Sequence, residues 1–123
     1  MDKVIESLTT KNINSAKLDT KSFFKIYNSS KYYFIDVRTK EEFDIWKFNF
    51  GINIPLNELS QRLDEIPKEK LIIIACLNNT RSTLAWLYLL SKGYNVKYLT
   101  DGLLGVAKEL KGEAIKSFDN YKE

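Results

Sequence analysis

The chain has 123 residues, which is enough for one domain and too few for two domains with full hydrophobic cores. Its 19 basic and 16 acidic side chains give a formal net charge of +3, and its 44% apolar and 28% charged residues are typical of a folded globular protein rather than a disordered one. It has no histidine and a single cysteine, Cys76, which excludes imidazole-based catalysis, intrachain disulfides and cysteine-cluster metal sites.

The N-terminal part is predicted to be a polar lead-in followed by a capped helix. Residues 1–17 form the lead-in, with a short helix around Val4–Leu8, and residues 18–123 form the domain. Asp19 or Thr20 is predicted to cap the next helix, whose apolar residues are Phe23, Phe24, Ile26 and Tyr27.

The middle of the chain alternates extended and helical segments. Tyr32–Val37 is rich in residues that favour β-structure and predicts a buried strand. Thr39–Glu42 has the pattern of a capping box, so a short helix begins there and carries Phe43 inward. Ile52–Pro55 is predicted to be extended, and Asn57 to cap a helix through Leu59 and Leu63 that stops by Pro67.

Leu71–Ala75 is apolar throughout, as expected of a central parallel strand covered on both faces. Arg81–Lys92 is predicted to be a helix with an apolar stripe of Leu84, Leu87 and Tyr88, ended by Gly93 in a left-handed conformation. Val96–Leu99 follows as a strand, Asp101–Gly102 as a turn and Leu104–Leu110 as a helix. This alternation predicts an α/β fold, a mostly parallel sheet with helices on both faces.

The segment after the Leu71–Ala75 strand contains the candidate catalytic residues. Cys76 follows that strand, a short polar loop comes next, and Arg81 and Ser82 open a helix. Ligands of open α/β sheets bind at the carboxyl ends of strands, where a helix N-terminus presents free N–H groups and a positive dipole end. These groups and the charge of Arg81 favour the thiolate form of Cys76. The loop could therefore form an anion cradle with the sulfur at its centre.

Each of these residues also has a purely structural interpretation. A cysteine after a core strand is often a small buried apolar side chain. Asn78-Asn79 could be only a turn, and Arg81 only a solvated helix residue. The three together favour the functional interpretation, because each meets a separate need of an anionic sulfur site.

Several segments around this loop resemble the rhodanese-like sulfurtransferase family. They occur in family order and with family-like spacing over residues 17–111: Phe34-Ile35-Asp36-Val37-Arg38 with Glu41-Glu42-Phe43, Ile52-Asn53-Ile54-Pro55-Leu56, the cysteine loop, Gly93-Tyr94-Asn95-Val96-Lys97-Tyr98-Leu99, and Asp101-Gly102. The family's active loop spans six residues, as Cys76 to Arg81 does here. Related phosphatases and arsenate reductases carry a loop one residue longer.

The resemblance implies a mechanism and a set of site residues. Cys76 would attack the outer sulfur of a donor, hold it as a persulfide and pass it to cyanide or a thiol. Arg81 would assist, and the cradle that binds the charged sulfur would comprise Leu77, Asn78, Asn79, Thr80 and Ser82. Asp36 would support the site through hydrogen bonds, although from the residues alone a capping or turn role is equally favoured. Arg38 would support the charge network, but a surface salt bridge is the favoured interpretation. No metal and no cofactor are expected.

The loop departs from the family pattern at two positions. Asn79 stands where the family usually has glycine, and we expect it to adopt a left-handed conformation at some strain. Leu77 stands where arginine is frequent, which removes a charge that could hold an anionic donor such as thiosulfate. Trp46-Lys47-Phe48 replaces the family's Gly-His-Ile, and Trp46 is most simply a packing residue.

Three functional hypotheses follow. The first is a sulfurtransferase that works through a Cys76 persulfide. The second is a non-catalytic rhodanese-like module that binds a protein or senses an anion, which the changes at Leu77 and Asn79 favour. The third is a cysteine phosphatase or arsenate reductase, which the shorter loop disfavours.

The partners expected are a sulfur donor (thiosulfate, polysulfide or a protein persulfide), a cyanide or thiol acceptor, and a protein of a sulfur relay. Nucleic acid is not expected, because the lysines are scattered among acidic residues. Neither is a membrane, because the longest apolar run, Leu71–Leu77, is far shorter than the ~20 residues that span a bilayer. The N-terminus lacks an apolar signal segment, so we expect a cytoplasmic location.

Overall fold

The computed structural model describes the backbone of residues 1–121 and the side chains of residues 1–111. Five parallel strands form one sheet in the order β1-β5-β4-β2-β3. Their bounds are Lys17–Leu18 (β1), Tyr32–Asp36 (β2), Gly51–Asn53 (β3), Leu71–Ala75 (β4) and Val96–Leu99 (β5). The predicted central strand is therefore confirmed as β4, which pairs with β2 and β5.

The first strand, β1, was not predicted from the sequence. β1 has only two residues, and it pairs with Tyr98 and Leu99 of β5 at the edge of the sheet. Ala16, just before it, is buried, and its carbonyl accepts a hydrogen bond from Tyr98 N–H at 2.8 Å. The end of the N-terminal segment thus joins the sheet.

Six α-helices connect or flank the strands. Their bounds are Asp2–Glu6 (α1), Thr10–Ser15 (α2), Thr20–Ile26 (α3), Lys40–Ile45 (α4), Thr80–Ser91 (α5) and Gly102–Tyr121 (α6). The Asp19 carboxylate accepts the Ser22 N–H at 2.7 Å, and Thr39 and Glu42 form the predicted capping box. Gly93 ends α5 at φ 86°, as predicted. No helix in the described part of the chain has the length and apolar character needed to cross a bilayer.

Two predictions about helices are wrong. Leu56–Gln61 and Leu63–Glu65 are 3-10 helices, and Asn57 does not cap the first one. The reason is that the Pro55 carbonyl accepts the Glu58 N–H at 2.8 Å, so the first turn closes around Asn57. The final helix begins at Gly102 rather than near Leu104.

The buried face of α5 also differs from the predicted stripe. Leu84 is 57% exposed and Leu87 and Tyr88 are half-buried, whereas Ser82, Ala85, Trp86 and Leu89 are buried. Ser82 contacts the Cys76 sulfur. This contact and the packing of Trp86 rotate Leu84 toward solvent.

Both faces of the sheet are covered, as predicted. Ile72 and Ile74 of β4 point into a first core, which also contains Cys76 and Trp86. Ile73 and Ala75 point into a second core on the other face, with members that include Phe23, Phe34, Leu103 and Val106. Because successive side chains of a strand alternate between faces, one five-residue strand supplies both cores. It also delivers Cys76 to a fixed place at its carboxyl end.

Candidate active site

Cys76 lies directly after β4 and is fully buried. The backbone N–H of Ser82 donates to its Sγ at 3.4 Å, and the thiol donates to Ser82 Oγ at 3.6 Å. Asn78 Oδ1 is 3.9 Å from the same sulfur. The loop therefore curls around Cys76 and returns to it at the first turn of α5, so the sulfur lies at that helix N-terminus.

The Asn78 carboxamide lies inside this curl. Its Oδ1 accepts the backbone N–H of Asn79 at 2.7 Å and that of Thr80 at 3.1 Å. Asn78, Asn79 and Thr80 are exposed, while Leu77 is half-buried. Two of the predicted cradle amides thus already converge on one partly negative oxygen of the loop itself.

Asn79 does not adopt the left-handed conformation that we expected. Its φ is −147° and its ψ is 1°, and no residue except glycine has a positive φ among those described. The physical reason is that the Asn78 side chain closes the turn by accepting the two following amides. Asn79 instead anchors the loop, because its Nδ2 donates to the Thr100 carbonyl at 3.2 Å and its own carbonyl accepts the Thr83 N–H at 3.1 Å.

The start of α6 supports the loop from the other side. Leu103 N–H donates to the Cys76 carbonyl at 2.9 Å, and Leu104 N–H to the Leu77 carbonyl at 3.3 Å. A Cβ added at Gly102, where φ is 65°, would lie 2.1 Å from the Asn78 carbonyl oxygen. Gly102 was predicted in a turn, but its contact with the cysteine loop was not predicted. Its spacing from the loop along the chain carries no such signal.

Arg81 is held by Glu42, which was predicted as part of a helix cap and of a family-like segment but not as a site residue. Its guanidinium donates to both Glu42 carboxylate oxygens, with Nη1–Oε1 at 2.6 Å and Nη2–Oε2 at 3.1 Å. These bonds lower the pKa of Glu42 to about 2, and the same bonds raise the pKa of Arg81. Glu42 therefore links α4 to the loop while it completes the capping box with Thr39.

Asp36 and Arg38 form a buried ion pair, so the interpretation of Arg38 as a surface residue is wrong. The Arg38 side chain is 1% exposed, and its Nη2 lies 2.9 Å from Asp36 Oδ2. Nη2 also donates to the Trp46 carbonyl at 2.7 Å, and the Trp46 ring lies over the guanidinium at 4.5 Å. Trp46 shields the pair from water, which a sequence pattern cannot reveal.

The ion pair lies beside the loop. Asp36 pairs with Ala75, the residue before Cys76, in the β2–β4 register. Asn53 Nδ2 donates to the carbonyls of both Asp36 and Arg38. No cluster of three potential metal ligands occurs among the described side chains.

Comparison with known proteins places this arrangement in a family. The model of the rhodanese-like domain matches residues 19–109. The sulfurtransferase of Allochromatium vinosum is 31% identical over 75 residues, which are 60% of this chain and 70% of that protein. The adenylyltransferase and sulfurtransferase uba4 of Ogataea parapolymorpha is 42% identical over 64 residues, half of this chain but 16% of that protein.

Solved structures agree with this fold. Reduced CoADR-RHD of Bacillus anthracis is 36% identical with a TM-score of 0.66, and the match covers 71% of this chain and 15% of that chain. The full-length protein from Lactobacillus plantarum has a TM-score of 0.72 over 89% of this chain and 93% of its own, at 24% identity. The family model, the sulfurtransferase relative and the strand–cysteine–helix geometry agree, and the chain belongs to the rhodanese-like domain family.

Proposed function

We propose that the protein is a sulfurtransferase that carries sulfane sulfur as a persulfide on Cys76. The observation that carries the proposal is the position of the Cys76 sulfur, at the carboxyl end of the central strand with the Ser82 N–H on it at 3.4 Å. The first turn of α5 presents its amides and positive dipole end there, and these favour a negatively charged sulfur. The relatives named as sulfurtransferases support this reading.

Sulfur loading is a nucleophilic substitution at sulfur. The Cys76 thiolate attacks the outer sulfur of the donor, a Cys76 S–S bond forms, and the donor's own sulfur–sulfur bond breaks. The bonding pair leaves with the remainder of the donor, as sulfite from thiosulfate or as a thiolate from a persulfide. Because the thiolate is itself the nucleophile, the step needs no histidine as a general base.

Loading also needs room at the sulfur. Cys76 is fully buried beneath the loop, and the Asn78 carboxamide accepts two of the loop amides. The exposed Asn78 side chain moves aside in this proposal, and the amides of Asn79 and Thr80 then bind the terminal sulfur of the persulfide. Arg81 completes the loop and, through Glu42, fixes it to α4.

Unloading regenerates the enzyme. An acceptor thiolate or cyanide attacks the terminal sulfur, the Cys76 S–S bond breaks, and its electron pair returns to the Cys76 thiolate. Two of the relatives bear names that include an adenylyltransferase activity, and one of these is also named a sulfurtransferase. A protein of a sulfur relay is therefore a fitting acceptor, and a cytoplasmic location suits such a thiol partner.

The test is an intact-mass measurement. The reduced protein is incubated separately with thiosulfate and with polysulfide, and we expect at least one of these donors to add one sulfur atom, which cyanide or dithiothreitol then removes. Cys76→Ser should gain none, while Ser91→Ala, at the far end of α5, should behave as wild type. A Cys76→Ser variant that still transfers sulfur would refute the mechanism, and a reactive thiol that gains no sulfur would favour a binding module.

A further inference from the structure

The loop around Cys76 offers no unpaired positive side chain. Arg81 is the sole basic residue of segment 76–82, and both oxygens of the Glu42 carboxylate bind its guanidinium. Opposite charges so close together leave only a weak field beyond the pair. Leu77, which directly follows Cys76, is apolar and half-buried.

Three basic residues of the segment that follows β2 also have partners. The Arg38 guanidinium is buried against Asp36, and Lys40 of α4 pairs with Asp44 at 2.6 Å. Lys47, which follows α4, lies over the Phe43 ring at 4.9 Å. Asp101 precedes Gly102, and its carboxylate accepts a hydrogen bond from the Thr20 hydroxyl at 3.2 Å.

We infer that Cys76 takes its sulfur from organic persulfides, R–S–SH, rather than from the thiosulfate dianion. This inference rests on the proposed function and narrows the class of molecule that donates the sulfur. Thiosulfate would bring two negative charges to a loop whose single basic side chain, among the described residues, is already balanced by Glu42, and would release sulfite, a second anion. A persulfide is neutral or singly charged, releases a thiolate RS⁻ as its S–S bond breaks, and can place an apolar R group against Leu77.

The helix N-terminus does not replace the missing cation. Its dipole is equivalent to about half an elementary charge, and the amides of the loop are needed for the single charge of the Cys76 persulfide. Two substitutions are therefore expected to restore thiosulfate as a donor. Leu77→Arg adds a cation beside the sulfur, and Glu42→Gln releases Arg81 while glutamine still completes the capping box with Thr39.

The experiment measures second-order rate constants for sulfur loading of Cys76 from thiosulfate and from mercaptoethanol persulfide, by rapid quench and intact mass. We expect each variant to raise the ratio of the thiosulfate to the persulfide rate constant by about tenfold. The control, Ile5→Arg, adds the same charge on exposed α1 and should leave the ratio unchanged. Circular dichroism verifies that each variant is folded.

Salt dependence gives a second readout that does not depend on the intrinsic reactivity of the donors. In the wild type, the thiosulfate rate constant should change less than about twofold between about 20 and about 200 mM salt, and in Leu77→Arg it should fall steeply. A wild-type thiosulfate rate that falls steeply with salt, or unchanged ratios in both variants, would overturn this inference alone. Absence of any sulfur adduct from either donor would overturn the proposed function with it.

Discussion

Asp36 and Arg38 form a buried ion pair beside the cysteine loop. Both side chains are almost completely buried, and three side-chain hydrogen bonds join them. A buried pair gains little net stability from its attraction, because both charges lose their hydration. Removal of one partner lowers stability much more, because the other charge then remains buried without a counter-charge.

Asp36→Asn is therefore expected to be strongly destabilising. The substitution keeps the size of the side chain but leaves the Arg38 guanidinium without its counter-charge, and we expect the free energy of unfolding to fall by about 3 kcal/mol or more. Urea denaturation followed by circular dichroism measures this change. If the double variant Asp36→Asn/Arg38→Met recovers part of the loss, the unpaired charge is its cause.

Asp44→Asn is the matched control. It makes the same chemical change in the Lys40–Asp44 pair, whose side chains are 73% and 56% exposed. Exposed pairs contribute little, so the urea midpoint should stay at the wild-type value. Equal effects of the two substitutions would contradict the role assigned to burial.

At the scale of elements, the cysteine loop depends on how α6 begins. The first amides of that helix donate to the carbonyls of Cys76 and Leu77, and Gly102 lies against the loop backbone. Only glycine combines a φ of 65° with so close an approach. The contact joins two elements more than twenty residues apart, with β5 between them.

Gly102→Ala is expected to distort the loop. Its Cβ would lie 2.1 Å from one backbone oxygen and 2.3 Å from another, so backbone must shift. We expect a loss of more than about 2 kcal/mol in the free energy of unfolding, together with slower persulfide formation at Cys76. Gly93→Ala is the control, because Gly93 also has a positive φ but its nearest neighbour would be Lys68 Nζ at 3.7 Å.

Gly93→Ala should cost only about 1 kcal/mol, the cost of the left-handed backbone alone, and leave sulfur loading unchanged. The difference between the two glycine variants isolates the contact with the loop. Equal losses would mean that backbone conformation alone, and not the contact, makes Gly102 necessary.

At the scale of the whole molecule, the sequence was sufficient for the fold class, while strand β1, the two 3-10 helices and much of the site were not predicted. The capping residues, the apolar strand β4 and Gly93 are local signals, and the structure confirms them. Ion pairs such as Glu42–Arg81 join residues that are far apart in the chain, so no local sequence pattern predicts them. The Asn79 conformation depends on where the Asn78 side chain points, which a family pattern of residue types does not encode.

The Glu42–Arg81 pair also connects the site to the stability of the whole protein. Arg81 holds the pKa of Glu42 at about 2 in the folded state, against about 4.3 for an unperturbed glutamate. The folded state therefore holds this proton less tightly than the unfolded state. The stabilisation is complete above the unfolded pKa and is lost as the pH falls through the folded pKa.

Glu42→Gln is expected to remove this pH-dependent contribution and keep the capping box. The difference in free energy of unfolding between wild type and variant should be constant above about pH 5, shrink below about pH 4.3 and be mostly lost at about pH 2. Urea denaturation at a series of pH values measures it. A difference that stays constant down to pH 2, or that grows as the pH falls, would show that Arg81 does not hold Glu42 in its charged form. The charge of Arg81 would then not be balanced by Glu42, and the inferred preference for persulfide donors would lose its support.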